Sequence, residues 1–284
     1  MTVASQDVIS RIRQGEAIRG ECLAGLLLER TAVDGARLLS CDLSRARFMA
    51  VELKQADLSG SSLDGADLRY GDLRESRLRG CALRGARLDH ARLDGADLSH
   101  ADLGRAELEK TSLAGALLAG ASLVEATLRD VDLGRSSSLD GIDLSEADLD
   151  SVLLVGVRTR RLVFREGYLR LVTLLDALLD EGDFEGARCA RLTLDRCRAG
   201  KLNFRESRLV AATWRGAEIE EADFTGASLE SCDFTGARLQ GARFRSARLV
   251  QTSLRDAVLD GADFTGATLE GVDLEGASLR GARI

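Results

Sequence analysis

Leucine recurs at every fifth residue along almost the whole chain, usually two residues after a small side chain. Five is neither the β-strand period of 2 nor the α-helix period of 3.6. A chain that keeps one residue type in phase over this length must turn through a fixed angle every five residues. The sequence therefore predicts a solenoid built from pentapeptide units. Representative units are Ala56-Asp57-Leu58, Ala66-Asp67-Leu68 and Ala96-Asp97-Leu98.

The pentapeptide register is continuous apart from one shift. We call the apolar residue of each unit its centre, i, so that the small residue is i−2 and the three other positions are i−1, i+1 and i+2. Centres run in one phase from Ile18 to Leu133 and in a second phase from Leu139 to Ile284. One extra residue therefore enters within residues 134–138. We expect a single pentapeptide-repeat solenoid over residues 16–284 with this one-residue slip.

Residues 152–204 follow the pattern least well, because several of their i−2 positions are bulky, as at Val157 and Leu162. Phenylalanine nevertheless recurs through this degenerate stretch at the centre of every fourth pentapeptide. A period of four units predicts a four-sided coil in which aromatic rings stack from coil to coil. The predicted structural ladder consists of Phe164, Phe184, Phe204, Phe224, Phe244 and Phe264.

These units resemble the pentapeptide repeat family, whose loose consensus is A-[D/N]-L-x-x. The resemblance covers about residues 16–284. It implies an all-β fold, a right-handed quadrilateral β-helix of about 13 coils, in which i and i−2 point inward. It also implies a possible class of partner, since some members mimic DNA and bind type II topoisomerases such as DNA gyrase.

The two ends of the chain differ from the repeats between them. Residues 1–15 are predicted to form a short capping helix, with Ser5 as its N-cap and Gly15 as its stop. The apolar residues Val8, Ile9 and Ile12 would cover the first coil. No signal-peptide layout or membrane-length apolar run is present, so we expect a cytoplasmic protein that does not enter a membrane.

At the other end, the last residue, Ile284, falls on a centre. An open coil end exposes apolar side chains and unpaired backbone groups. We therefore expect a homodimer joined through the C-terminal coils, with Leu274, Leu279 and Ile284 at the contact. A frayed last coil, a longer native chain or coverage by another protein are the alternatives.

Residues capable of chemistry fall on structural positions of the repeat. Five of the six cysteines occupy inward positions, and only Cys22 points outward. The two histidines, His90 and His100, are two units apart and therefore lie on opposite sides of a four-sided coil. Nothing provides a nucleophile with a base or a phosphate-binding loop. We expect no catalytic residue, no metal and no cofactor, and thus a protein that is not an enzyme.

Outward charges alternate in sign from one predicted coil to the next, as in the series Asp57, Arg77, Asp97. Such spacing predicts ion pairs between successive coils. The net charge is only −7, with 39 basic and 46 acidic residues, and neither sign forms a continuous track along the sequence. We therefore expect no direct binding of nucleic acid. The sequence therefore favours a non-enzymatic, rod-shaped scaffold for protein–protein interaction. The alternative is a DNA-mimicking binder of DNA gyrase that gives drug resistance or self-immunity.

The candidate contacts with a protein partner are Leu153 and Tyr168. Both lie at i−1, where a polar residue is usual, and both lie in the degenerate stretch that follows the slip. Outward apolar side chains of this kind are typical of interaction sites. The alternative is a tolerated bulge with local repacking.

Overall fold

Within each unit, parallel β-bridges connect each coil to the next, and outside the register slip each bridge joins residues that lie four pentapeptides apart. The structure, a computed structural model, describes residues 3–136 and 138–284. Ile18 pairs with Leu38, and Leu209 pairs with Leu229. Two compact units divide the chain, Met1–Asp143 and Leu144–Ile284. Each unit is a four-sided parallel β-solenoid, and the chain makes about 13 turns. The predicted solenoid with a short N-terminal helix is confirmed.

The regular strands are only three residues long, because the chain turns a corner after each one. The first unit contains helix α1 (Val3–Arg13) and strands β1 (Ala17–Arg19), β2 (Arg37–Leu39), β3 (Glu107–Glu109) and β4 (Thr127–Arg129). The second unit contains β5 (Asp148–Asp150), β6 (Arg158–Arg160), β7 (Tyr168–Arg170), β8 (Leu178–Asp180), β9 (Arg188–Ala190), β10 (Arg198–Gly200), β11 (Arg208–Val210), β12 (Ser228–Glu230), β13 (Arg248–Val250) and β14 (Thr268–Glu270). On two sides of this unit the strand orders are β5-β7-β9-β11-β12-β13-β14 and β6-β8-β10.

Hydrogen bonds to both neighbouring coils explain the absence of proline. The Leu58 N–H donates to the carbonyl of Arg77 and the Asp57 N–H to the carbonyl of Ala36, each at 2.8 Å. A proline at either position would remove a donor from this ladder. The corners at i+2 take positive φ, with 68° at Gly60 and 58° at Gln55. Glycine tolerates this conformation without strain, which is why it is frequent there.

Aspartate at i−1 stabilises the local turn of its own unit. The Asp67 Oδ1 accepts a hydrogen bond from the Arg69 backbone N–H at 3.3 Å, and the Arg69 guanidinium donates two more to the same carboxylate. These bonds hold the pKa of the Asp67 carboxyl below its ordinary value. Asp223 and Asp263 accept the equivalent backbone bonds from Thr225 and Thr265. The repeated aspartates therefore have a structural role as fixed acceptors.

The register between coils changes where the sequence predicts its slip. Asp97 pairs with Leu117 at the usual interval of four pentapeptides, whereas Leu117 pairs with Ser138, which lies one residue further along the chain. One of the five residues of the predicted slip, Ser137, lies outside the described residues. The pairing of coils thus continues within the first unit with one residue added.

Helix α1 packs against β1 and buries Val8, Ile9 and Ile12. It begins at Val3, so Ser5 is a buried residue of the first turn and not its N-cap, which corrects the predicted start. Its end follows the expectation, because Gly15 has φ of 79° and donates to the carbonyl of Ile12. None of the described segments forms a helix with the length and apolar character needed to span a bilayer.

The second unit is filled by a column of phenylalanine rings. Phe204 stacks on Phe184 and Phe224 with centroid distances of 4.6 and 5.1 Å. A second column begins with Trp214, whose ring meets the edge of Phe204 at 5.6 Å. The bulky i−2 side chains Val157 and Leu162 are buried in the same interior. Large inward side chains are thus accommodated in the coils that depart from the consensus.

Truncating the middle of this column should be strongly destabilising. Phe204→Ala removes a ring that is in contact with three others, and we expect it to lower the free energy of unfolding by about 3–5 kcal/mol. Phe204→Leu keeps most of the volume and should cost clearly less. Urea denaturation followed by circular dichroism measures both variants. Equal losses in the two would contradict a packed aromatic column.

Candidate interaction surface

The second unit exposes a group of large apolar side chains within a short stretch of sequence. We call this group the apolar patch; its members are Leu153, Val155, Tyr168, Leu171 and Leu178, which are 37–50% exposed. The inward leucines of the same coils, such as Leu154 and Leu174, are fully buried. The apolar patch therefore comes from apolar residues at outward positions of the repeat and not from an incomplete core.

The register places four of the five members of the apolar patch around one corner of the solenoid. Leu153 and Val155 flank the buried centre Leu154 on one side, while Tyr168 begins β7 on the adjacent side. Leu171 occupies the corner that follows β7, with φ of 54°. Leu178 begins β8 and lies on the side beyond that of Leu153. Leu153 and Tyr168 thus belong to adjacent sides, with Leu171 at the corner between these sides.

Tyr168 is held in place by Arg188 of the next coil. Arg188 Nη1 donates a hydrogen bond of 3.0 Å to the Tyr168 hydroxyl oxygen, and the guanidinium carbon lies 5.1 Å from the ring centroid. The cation–π contact and the hydrogen bond restrict the rotamers of the exposed ring. An aromatic side chain ordered in this way loses little entropy when a partner binds.

Opposite charges join successive coils, as the sequence predicts. Arg77 pairs with Asp57 at 3.6 Å, Arg87 with Glu107 at 3.1 Å, and Arg161 with Glu181 at 3.3 Å. Arg170 pairs with Asp150 beside the apolar patch. The expected alternation of charge is confirmed for these pairs, which contribute weakly one by one because they are exposed.

A groove in the second unit shows why these carboxylates do not provide acid–base chemistry. Lys201, Asn203, Arg205 and Arg243 line it together with Asp223. Partial burial disfavours the charged form of Asp223, but hydrogen bonds from Thr225 and the charges of Arg205 and Arg243 outweigh it. The pKa of the Asp223 carboxyl is therefore lowered, and the group is ionised near neutral pH. Such a carboxylate has no proton to deliver as a general acid.

The cysteines are free thiols and differ in their exposure. Cys22 is exposed, and the other five thiols are buried. Burial raises the pKa of four thiols to about 12; these belong to Cys81, Cys189, Cys197 and Cys232. His90 stacks on Tyr70 with a centroid distance of 4.9 Å and an interplanar angle of 4°. Within residues 3–136 and 138–284, no group of three or more His, Cys, Asp or Glu side chains is arranged to hold a metal ion.

Thiol titration should separate Cys22 from the other cysteines. The thiolate is the reactive form, so buried thiols with a raised pKa react slowly. We expect Ellman's reagent to modify one thiol rapidly in the native protein and all six after unfolding. The Cys22→Ser variant serves as the control and should lose the rapid phase. A rapid phase that persists in this variant would contradict the burial of the other five.

The predicted dimer contacts at the C-terminus are partly exposed. Leu274 and Leu279 are intermediate in exposure, and Ile284 is 82% exposed. Leu269 of β14, which the sequence analysis did not single out, is also exposed. These four residues are inward centres of the repeat that present apolar surface at this end of the second unit.

Several residues of the surface were missed by sequence reasoning. Val155, Leu171 and Leu178 are apolar at outward positions by the same criterion that selected Leu153, so a complete scan of those positions would have found them. Tyr70 is the most exposed aromatic side chain among the described residues, and its distance of four pentapeptides from His90 could have indicated their stacking. The contact between Arg188 and Tyr168 could have been found in the same way, because these two residues also lie four pentapeptides apart.

Comparison with known proteins agrees with this geometry. The sequence matches the family model described as pentapeptide repeats in eight copies, over residues 28–65, 41–80, 61–99, 96–135, 203–241 and 242–281. The chain belongs to the pentapeptide repeat family. The matched ranges flank residues 136–202, which contain the register slip and the apolar patch. A search of curated proteins finds no match to this chain.

Solved structures of other pentapeptide repeat proteins are similar to all or part of this chain. HetL, a pentapeptide repeat protein involved in heterocyst differentiation regulation in the cyanobacterium Nostoc sp. strain PCC 7120, is 27% identical over 98% of this chain and 96% of its own, with a TM-score of 0.33. A protein from the Arabidopsis thaliana thylakoid lumen is 34% identical over 34% of this chain and 63% of its own, with a TM-score of 0.26. Full-length QnrB1, a plasmid-mediated fluoroquinolone resistance protein, is 14% identical over 90% of this chain and 92% of its own, with a TM-score of 0.22. These TM-scores support no inference about function.

Proposed function

We propose that this protein is a non-enzymatic scaffold that binds a protein partner through the apolar patch of its second unit. One observation carries the proposal: five large apolar side chains are exposed within residues 153–178, on coils whose inward positions are filled. Contiguous exposed apolar surface is typical of protein interaction sites. The family membership agrees, because pentapeptide repeat proteins are structural repeat proteins.

The physical gain on binding comes from removing this surface from water. Full burial of a leucine or valine side chain is worth roughly 1.5–3 kcal/mol. Tyrosine is enriched among the residues that dominate binding energy, and Tyr168 is already ordered by Arg188. A flat surface of β-bridges supplies a rigid base, so little binding energy is spent on ordering the scaffold.

The described side chains support a non-enzymatic role. Asp223 is ionised between Arg205 and Arg243. The free cysteines also support our expectation of a cytoplasmic location, since reducing compartments keep thiols unpaired.

The topoisomerase alternative has less support from the charges. A DNA mimic needs negative charge that persists along a face, yet three of the four acidic side chains of residues 218–223 pair with arginines. Glu218 pairs with Arg198 at 3.3 Å and Glu220 with Arg238 at 3.2 Å. We therefore propose the scaffold first. DNA gyrase is a second partner to be tested, because some members of the pentapeptide repeat family bind type II topoisomerases.

Capture experiments on variants test the scaffold function. The double variant Leu153→Asn/Tyr168→Ser removes two members of the apolar patch without touching the interior. We expect the immobilised variant to lose proteins that the wild type captures from a lysate of the source organism, with little change in melting temperature. Quantitative mass spectrometry measures the loss. Purified DNA gyrase is included, and its supercoiling activity should be unchanged by micromolar scaffold.

Leu117→Asn is the matched control, because Leu117 is an exposed leucine at i−1 in the first unit. It should capture the same proteins as the wild type. If the double variant captures the same proteins as the wild type, the apolar patch is not the binding site and the proposal is contradicted. Inhibition or protection of gyrase by the wild type would favour the topoisomerase alternative.

We further propose that two copies of the chain bind each other through Leu269, Leu274, Leu279 and Ile284. The partial exposure of these apolar centres supports this contact. Burial of apolar centres in a symmetric contact would complete the interior of the last coil. We expect light scattering to give the mass of a dimer and Leu279→Glu to give that of a monomer. A wild-type monomer at high concentration would contradict this contact.

A further inference from the structure

Three arginines of the second unit form a group without carboxylate partners. We call Arg188 of β9, Arg208 of β11 and Arg191 of the corner after β9 the arginine cluster. All three are exposed, and no carboxylate oxygen of the described residues lies within 4.0 Å of their side chains. Several other arginines of this unit are paired, for example Arg215 with Asp233 at 2.6 Å and Arg196 with Asp176 at 2.8 Å. The arginine cluster is therefore an exception to the charge pattern of its own unit.

The register makes this exception costly for the isolated protein. Arg188 and Arg208 are direct partners in the parallel pairing of β9 with β11. Neighbouring coils lie about 4.8 Å apart, so two like charges stand side by side, an arrangement that is destabilising. In the neighbouring column, by contrast, Asp150 stands beside Arg170, so that opposite charges meet there. An anion supplied from outside would relieve the repulsion between Arg188 and Arg208.

The surroundings of the arginine cluster form a flat surface that continues the apolar patch. Tyr168 precedes Arg188 in the same column, and the parallel column contains the small or apolar residues Ala190 and Val210. Leu171 precedes Arg191 at the corner of the preceding coil. A ligand that covers Tyr168 and Leu171 therefore extends directly over Arg188 and Arg191.

We propose that the arginine cluster binds a carboxylate-rich segment of the protein partner whose apolar residues cover the apolar patch. This inference rests on the proposed scaffold function and names the chemistry of the partner. Guanidinium groups bind carboxylates with two parallel hydrogen bonds, and such charge-assisted bonds are among the strongest in interfaces. An extended segment with acidic residues at alternate positions presents them all on one face, which fits the row formed by Arg188 and Arg208.

A protein segment suits this surface better than a nucleic acid. Binding to a single strand needs basic residues along the whole backbone and several aromatic platforms for bases. Tyr168 is the single aromatic side chain beside the arginine cluster, and the column continues through Ser228 to Arg248, which is neutralised by Glu270 at 2.9 Å. The mixture of one tyrosine, leucines and arginines is typical of the centre of a protein–protein interface.

Fluorescence anisotropy with defined probes tests the inference. The probe is a fluorescein-labelled peptide that alternates Glu with Thr, and its counterparts are a Gln–Thr peptide and a labelled oligothymidine of similar length. We expect the full chain to bind the Glu–Thr peptide and Arg208→Gln to weaken that binding about tenfold, the usual effect of losing a charge-assisted hydrogen bond. The Gln–Thr peptide should not bind.

Arg158→Gln is the matched control, because Arg158 is an exposed arginine at i−1 of β6 that has no carboxylate within 4.0 Å among the described residues. It removes the same charge from another side of the second unit and should leave peptide affinity unchanged. Equal losses in Arg158→Gln and Arg208→Gln would overturn the proposal, as would no binding of the Glu–Thr peptide to the wild type. If the oligothymidine binds more tightly than the Glu–Thr peptide, the ligand is a nucleic acid, which would also overturn the proposal.

Two further readouts separate this inference from the scaffold function and from a structural role. If Arg208→Gln still captures the partner and Leu153→Asn/Tyr168→Ser does not, the scaffold function is supported. The proposal that the partner binds through an acidic segment is then overturned. Arg208→Gln should not lower the melting temperature, since it removes a like-charge neighbour of Arg188, whereas Arg215→Gln breaks a pair and should lower it. A lower melting temperature in Arg208→Gln would indicate a structural role instead.

Discussion

Backbone hydrogen bonding between coils of four pentapeptides each is the constraint on which everything else in this protein depends. Since the Leu58 N–H must reach the carbonyl of Arg77, successive coils have to turn at the same places, and the pairing tolerates one added residue only at the register slip. Stacking then repeats each side chain above its counterpart in the next coil. Phe204 meets Phe184 and Phe224, and Arg87 meets Glu107, for this one reason. Packing and surface charge are consequences of the register.

The same constraint explains where function can be found. A residue that serves the repeat is inward, caps a turn or pairs with the next coil, as Leu58, Asp67 and Arg77 do. A residue that does none of these stands out. Leu153 and Leu171 are apolar in outward positions, and Arg188 and Arg208 place two like charges side by side. Both departures occur on neighbouring coils of the second unit, which is why we assign them to one partner.

Sequence reasoning succeeded wherever the pentapeptide period and its four-unit multiple apply. The solenoid, the buried cysteines, the positive φ at Gly60 and the ion pair of Arg161 with Glu181 all follow from position in the repeat. It was wrong about Ser5, because the start of α1 belongs to no repeat and capping residues also occur inside helices. It also left Val155 and Leu178 unassigned, since an apolar residue at an outward position can be covered by a neighbouring side chain.

The sequence by itself determined the fold family, the inward and outward positions and the pairing of coils, because a repeat states the same structural rule many times. Only the tertiary structure decided which outward residues are left without a partner. The exposure of Leu171 and the contact of Arg188 with Tyr168 depend on side-chain direction and on what the adjacent coil offers. Periodicity fixes which residues are neighbours, but three-dimensional packing determines which of these neighbours touch.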